Sequence, residues 1–231
     1  MLLSALPALL LATAHAQDSS DLAADTPDAR TLSVQRKVDE VFESGEFERA
    51  YFIYRNELAP VGDKYAQYMV GYMHLMGMGV EEDEVRASAW YRLAAERGHP
   101  EFVGVRNQIL GSLDEDELER SDRAYIELRR QYGDLVLVMR QLRSDLKTLS
   151  APTTGSRLQR RANPAMAADP VISVGLSGGS YYHKTGMRFR SRLDYVTETL
   201  GIDRVGGQVT IELLSDLNAQ VEEYVLQVDD R

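Results

Sequence analysis

Few side chains in this chain could act in metal or acid–base chemistry. The four histidines stand apart at positions 15, 74, 99 and 183, and His183, in the run SGGSYYHKTG, has no second ligand at metal-binding spacing. His99 is a turn residue beside Pro100. The chain has no cysteine, which excludes disulfides, thiol chemistry and thiolate metal sites. The sequence therefore predicts no metal site and no cofactor.

Two short motifs resemble those of serine enzymes that recognise penicillin. They are Ser144-x-x-Lys147 and Lys184-Thr185-Gly186. Their separation is far too short for that fold and the third motif is absent, so we interpret the match as chance. The acidic run 114–117 is better explained as the first turn of a helix, where carboxylates complement the helix dipole. No catalytic residue is predicted.

Composition narrows the class of protein. The chain has 231 residues, 44% of them hydrophobic and 27% charged, which suits a soluble protein with a packed core. Its formal net charge is −10. Nucleic-acid binding depends on Lys and Arg that neutralise phosphates, so it is not expected here.

The first residues, MLLSALPALLLATAHAQ, predict a secretory signal peptide over 1–16, cleaved between Ala16 and Gln17. The apolar run 2–13 is shorter than the roughly 20 residues of a membrane span. The alternative is a buried N-terminal helix. No cysteine follows to carry a lipid anchor. We therefore expect a periplasmic or secreted protein without membrane span or lipid anchor, starting with a flexible lead-in over 17–32.

Residues 33–149 have helical periodicity almost throughout. Apolar residues recur every three or four positions, as at Val34, Val38 and Val41, and Gly- or Pro-containing breaks separate the segments. Arg49-Ala50 and Ile53-Tyr54 recur 37 residues later as Arg86-Ala87 and Trp90-Tyr91. A period in the thirties with two helices per unit predicts an α-solenoid.

One unit resembles a Sel1-like repeat, a relative of the tetratricopeptide repeat. The matching positions are Ala66-x3-Val70-Gly71-x2-His74-x2-Gly77-x-Gly79-Val80-x2-Asp83-x2-Arg86-Ala87-x2-Trp90-Tyr91-x2-Ala94-Ala95-x2-Gly98. The unit departs from the family at Val70, His74 and Phe102, where Leu, Tyr and Ala are usual. His74 is thus interpreted as a core residue. Residues 34–62 and 102–132 are predicted to be degenerate repeats that cap a short solenoid.

Each repeat position has a physical role. Gly71, Ala94 and Ala95 are small, which allows close helix packing, and Gly77 and Gly79 form the tight turn. Asp83 caps the second helix. Trp90 and Tyr91 fill the space between hairpins.

The first helix of this repeat has more apolar residues than the repeat needs. The residues without a repeat role are Tyr65, Tyr68, Met69, Tyr72 and Met76. The resemblance implies that they face the concave groove, and Tyr and Met are common at recognition surfaces. One hypothesis is a groove that binds a partner protein. The other is that the chain's own N-terminal helix, linker or C-terminal element covers this face.

The sequence changes character after the helical region. Residues 150–170 are predicted to be a linker, and 171–231 a small α/β or mixed element. Its strands would be 171–176 and 208–213, and its helices 189–200 and 214–228. Basic residues prevail over 151–191: Arg157, Arg160, Arg161, Lys184, Arg188 and Arg190.

These features favour a mainly α protein, a short Sel1-like superhelix that acts as an exported scaffold or adaptor for protein partners in a bacterial envelope. The resemblance does not choose among envelope assembly, polysaccharide export and signalling. The alternative is a ligand-binding or enzymatic module in 171–231 that uses Ser180, His183, Lys184 and the nearby arginines. A third possibility is that the basic segment binds an acidic polymer.

Overall fold

A computed structural model describes residues 29–150, 180–202 and 211–227. Of these residues 85% are helical, and this part of the chain contains no strand, which confirms the predicted mainly α fold. The α-helices are α1 Ala29–Glu43, α2 Phe47–Ile53, α3 Lys64–Met76, α4 Glu84–Ala94, α5 Pro100–Leu110, α6 Glu115–Tyr132, α7 Asp134–Ser150, α8 Ser180–Thr199 and α9 Ile211–Leu226. No helix in the described ranges is long and apolar enough to cross a membrane.

The chain divides into two compact units. The first comprises residues 1–137 together with 225–231, and the second comprises 138–224. The predicted signal peptide over 1–16 and nearly all of the predicted linker over 150–170 lie outside the described residues. The predicted domain boundaries therefore stay a prediction.

The first unit begins with two helical hairpins. Helix α1 reverses at Ser44-Gly45 into α2, which continues through a π-helical turn Tyr54–Leu58 and a 3-10 turn Ala59–Val61. Helix α3 then begins after its N-cap Asp63, whose carboxylate accepts a hydrogen bond from the Ala66 amide at 2.9 Å. Capping satisfies an amide that has no partner within the helix, so the local sequence fixes where α3 starts.

Helices α5 and α6 continue this unit. Asp114 and Glu117 form a reciprocal capping box at the start of α6, in the acidic first turn that the sequence predicts. Along α6, Ser121 accepts a hydrogen bond from Ser88 of α4 at 2.7 Å, and Asp122 pairs with Arg92 of α4 at 2.6 Å. These buried contacts attach α6 to the second helix of the α3–α4 hairpin.

The second unit contains most of α7, all of α8 and most of α9. Its buried side chains recur at helical spacing, at Phe189, Leu193 and Val196 of α8 and at Leu214, Leu217 and Val221 of α9. Arg192 of α8 forms a buried ion pair with Asp145 of α7.

Two predicted helices of this region are present, but the α/β prediction is not confirmed. The predicted helix 189–200 lies almost wholly within α8, and the predicted helix 214–228 corresponds to α9. The predicted strand 208–213 is wrong over Ile211–Leu213, which form the first turn of α9. Its residues 208–210 and the predicted strand 171–176 lie outside the described residues. The buried residues of α9 start at Leu214, so packing of this helix overrides the strand-like local pattern of the residues just before Leu214.

Candidate functional site

Helix α3 carries the tyrosine and methionine residues that the sequence assigns to a partner-binding groove. Their exposure differs widely. Tyr68 and Met69 are 4% and 5% exposed, Tyr65 and Tyr72 are half-buried, and Met76 is 43% exposed. Only part of the set is thus accessible to a second molecule in this structure. Partner binding by these residues stays a prediction.

Tyr68 is buried between two aromatic rings of the same unit. Its ring centroid lies 5.2 Å from that of Tyr91 on α4 and 5.4 Å from that of Phe102 on α5, and the Phe102 ring is stacked on it. Burial raises the pKa of Tyr68 to about 12, because the phenolate would lose its hydration. Tyr68 therefore has a structural contact that its position in the repeat does not predict.

Tyr65 lies near the start of α3 beside the preceding hairpin. Its ring centroid is 6.3 Å from that of Tyr54, in an edge-on arrangement. Burial raises the pKa of Tyr65, and the nearby carboxylates Asp39 and Asp63 raise it further. Tyr65 is thus neutral and has one side of its ring in contact with the core.

The α3–α4 hairpin is closely packed where the sequence has small residues. A Cβ on Gly71 would lie 3.1 Å from the Tyr91 ring, and Ala66, Val70, Ala87 and Ala94 are fully buried. Trp90 and Ala95 are also in the core, at 3% and 4% exposure. At this spacing a larger side chain would force α3 and α4 apart.

The turn between α3 and α4 touches the preceding hairpin. Gly77, Gly79 and, after α4, Gly98 have positive φ angles, and a Cβ on Gly79 would lie 2.4 Å from the Phe47 carbonyl carbon. Asp83 then caps α4, because its carboxylate accepts a hydrogen bond from the Arg86 amide at 2.9 Å. Gly79 therefore permits a close backbone approach that no other residue could make.

His74 is a core residue with one clear hydrogen-bond partner. Its Nε2 lies 3.1 Å from the Tyr51 hydroxyl, and its side chain is buried. Burial is the main cause that lowers the pKa of His74, and the cations Arg86 and Arg55 add to it, whereas the Glu81 backbone and the Asp83 carboxylate raise that pKa in part. Within the described ranges no group of three or more His, Cys, Asp or Glu could hold a metal ion.

A buried charged network at the start of α3 was not predicted. The Lys64 ammonium is fully buried and lies 2.9 Å from Glu96, 3.1 Å from Asp134 and 2.8 Å from the Leu93 carbonyl. Arg97 binds both carboxylate oxygens of Asp134, at 3.0 and 3.1 Å. The network thus connects the two ends of the α3–α4 hairpin to the start of α7.

The ionisation of this network follows from its geometry. Burial alone would raise the pKa of Asp134, but the Lys64 ammonium and the Arg97 guanidinium together hold that pKa below its ordinary value. Asp134 is therefore charged in the folded chain. Lysine is rarely buried without a partner, and the partners here are distant in sequence, so no local pattern could have indicated the network.

These contacts define one closed structural unit: two helices, a glycine turn, two aspartate caps and a final 3-10 turn that ends at Gly98. Residues 64–99 match the Sel1 repeat family. A search of curated proteins and a search of solved structures each found no match. The Sel1 repeat thus confirms the resemblance predicted over 66–98, while the segments 34–62 and 102–132 stay predicted degenerate repeats.

The Sel1 repeat indicates a general kind of function. Such repeats generally mediate contacts between proteins, and proteins that carry them are generally scaffolds without enzymatic activity. The alternative of a catalytic or ligand-binding module in 171–231 receives no support. Its proposed side chains, Ser180, His183 and Lys184, lie outside those that the structure describes.

Proposed function

We propose that this protein is an exported adaptor that holds a partner protein in the bacterial envelope through its Sel1 repeat unit. The observation that carries the proposal is the Sel1 repeat at residues 64–99, built into a larger helical unit. The export part is supported by the sequence of residues 1–17, which has the apolar run and small-residue cleavage site of a secretory signal peptide.

The accessible part of α3 is the partner-contact surface in this proposal. Tyr65, Tyr72 and Met76 are spaced seven and four residues apart, so they lie along one side of the helix. Met76 is 43% exposed, and Tyr65 and Tyr72 keep part of their rings accessible. Tyrosine and methionine can contact an apolar partner surface without needing a buried charge.

The contact surface is tested by affinity capture from envelope extract, followed by binding of the purified partner. We expect the Tyr72→Ala/Met76→Ala variant to lose about tenfold or more in affinity, as for truncated interface residues that carry binding energy. Tyr68→Ala is not used, because Tyr68 is a core residue and its truncation would destabilise the unit.

The matched control is Phe52→Ala, which removes a large apolar side chain that is 59% exposed on α2. Equal affinity of the wild type and the Tyr72/Met76 variant would refute this contact surface, as would an equal loss in the Phe52 variant. Export is tested separately by mass spectrometry of the protein released by osmotic shock. A mature N-terminus at Gln17 is expected, and a cytosolic chain that keeps residues 1–16 would refute export.

A further inference from the structure

The end of α9 belongs to the first unit, although most of that helix belongs to the second. Arg129 of α6 donates a hydrogen bond from its Nη1 to the main-chain carbonyl of Gln227 at 2.7 Å. Val225 is 1% exposed, whereas its neighbour Leu226 is 47% exposed. Residues 225–227 are therefore held by one buried apolar side chain and one charge-assisted hydrogen bond.

The Arg129 contact has a specific electrostatic role. The last carbonyls of a helix have no partner within it and carry partial negative charge, which cations stabilise. Helix α9 has no basic residue in its last turn, and it has acidic Glu222 and Glu223 close to its end. Arg129 thus supplies, from another helix, the positive charge that the end of α9 lacks.

Contacts within the first unit hold Arg129 in position. Its Nε lies 3.5 Å from Glu96, and its guanidinium lies over the Tyr125 ring at 5.6 Å from the centroid. A Cβ on Gly133 would lie 2.9 Å from Arg129 Cγ. The side chain is 7% exposed. None of these contacts involves α9, so they do not depend on residues 225–227.

We propose that Arg129 marks a receiving site for the C-terminal end of a helix, which residues 225–227 occupy as an autoinhibitory latch. The competing ligand is a partner helix of the same chemistry: an apolar residue near its C-terminus, free terminal carbonyls and no basic residue in its last turn. Such a helix binds only when the latch opens. Its apparent affinity therefore equals the intrinsic affinity multiplied by the fraction of chains whose latch is open.

The partner half of this inference rests on the proposed adaptor function, whereas the latch does not. The probe is therefore a fluorescein-labelled synthetic peptide of residues 211–231, bound to the full-length chain and measured by fluorescence anisotropy. Val225→Asp in the full-length chain opens the latch and leaves Arg129 unchanged. We expect this variant to bind the peptide at least about tenfold more tightly than the wild type, because the site is no longer occupied in cis.

Two further variants make this test specific. Leu226→Asp introduces the same charge one residue later, at an exposed position, and should bind the peptide like the wild type. Arg129→Met combined with Val225→Asp should lose the gain. The latch is refuted if Val225→Asp binds no more tightly than the wild type, if Leu226→Asp gains equally, or if the gain persists without Arg129.

A second measurement applies if Val225→Asp impairs folding, as judged by Trp90 fluorescence. Amide hydrogen exchange of residues 222–227 is then compared between the wild type and Arg129→Met, with Arg123→Met as the control. Arg123 lies on the same helix with a 66% exposed side chain. We expect exchange to rise about tenfold only in the Arg129 variant, and unchanged exchange there would refute the latch. Failure of peptide binding with successful partner capture would reject this site and leave the proposed function intact.

Discussion

Replacing Lys64 with Met should strongly destabilise the first unit. The ammonium is fully buried and lies within 3.1 Å of Glu96, Asp134, the Leu93 carbonyl and the Gln67 side chain. Removing one partner of a buried ion pair generally costs about 3–5 kcal/mol, because the other charge remains buried. Arg97 still binds Asp134 and Arg129 still contacts Glu96, so we expect the lower end, about 3 kcal/mol.

The assay is urea unfolding followed by Trp90 fluorescence. Trp90 is the chain's one tryptophan and is 3% exposed in the same unit, so its signal reports that unit directly. The matched control is Lys37→Met, which makes the same change at an exposed position on α1. The control should change the free energy of unfolding by about 0.5 kcal/mol or less.

A double-mutant cycle with Asp134→Asn separates the pair from general damage to the core. We expect the two substitutions to be non-additive by about 1–3 kcal/mol, as for residues in one charged network. Additive effects, or a loss of about 1 kcal/mol or less for Lys64→Met alone, would refute the reasoning. Because the pKa of Asp134 is lowered, its contribution is present above the unfolded pKa of about 3.9 and is lost as the pH falls through the folded value.

Three other predictions use the same unfolding assay. Gly79→Ala should cost more than about 2 kcal/mol, from positive φ strain plus a backbone clash, whereas Gly98→Ala, with similar φ and open space, should cost about 1 kcal/mol. Burial lowers the pKa of His74 in the folded chain, so below the unfolded pKa of about 6.5 the unfolded chain binds a proton that the folded chain does not, and stability falls. His74→Gln should therefore reduce the loss of stability between pH 7.5 and 5.5. Asp83→Ala should cost about 1 kcal/mol and Asp83→Ser much less, because Asp83 caps α4. Equal costs for the two glycine variants, an unchanged pH profile, or equal effects of Ala and Ser would each contradict the stated cause.

The α3–α4 hairpin could be predicted because its geometry is encoded locally. Gly71 has to be small for the Tyr91 ring to approach, Gly79 has to lack a Cβ beside Phe47, and Asp83 caps a helix that starts one residue later. Each of these requirements fixes a residue type at a fixed spacing. A single sequence therefore predicts the hairpin without knowledge of the rest of the chain.

Tyr68 shows why the candidate site was harder to predict. The repeat assigns Tyr68 no role, so the sequence favours its exposure in a groove, yet Phe102 of α5 stacks on it. The sequence did contain a signal, because Phe102 stands where the repeat usually has Ala. A ring in place of a methyl group needs space and apolar contacts, and α3 provides both. A departure from the repeat thus indicated a local change in packing.

The buried charges are the part of the fold that local sequence cannot predict. Their role becomes clear when they are compared with apolar residues at the same positions. A buried ion pair generally contributes no more stability than apolar residues of similar volume would. Lys64, Glu96 and Asp134 nevertheless impose a condition that apolar residues would not: α7 has to start where Asp134 meets both Lys64 and Arg97. A shift of Asp134 by one residue would take its carboxylate away from both cations, which are largely buried. We therefore interpret the network as the contact that fixes the residue at which the chain enters α7, beside the two ends of the α3–α4 hairpin.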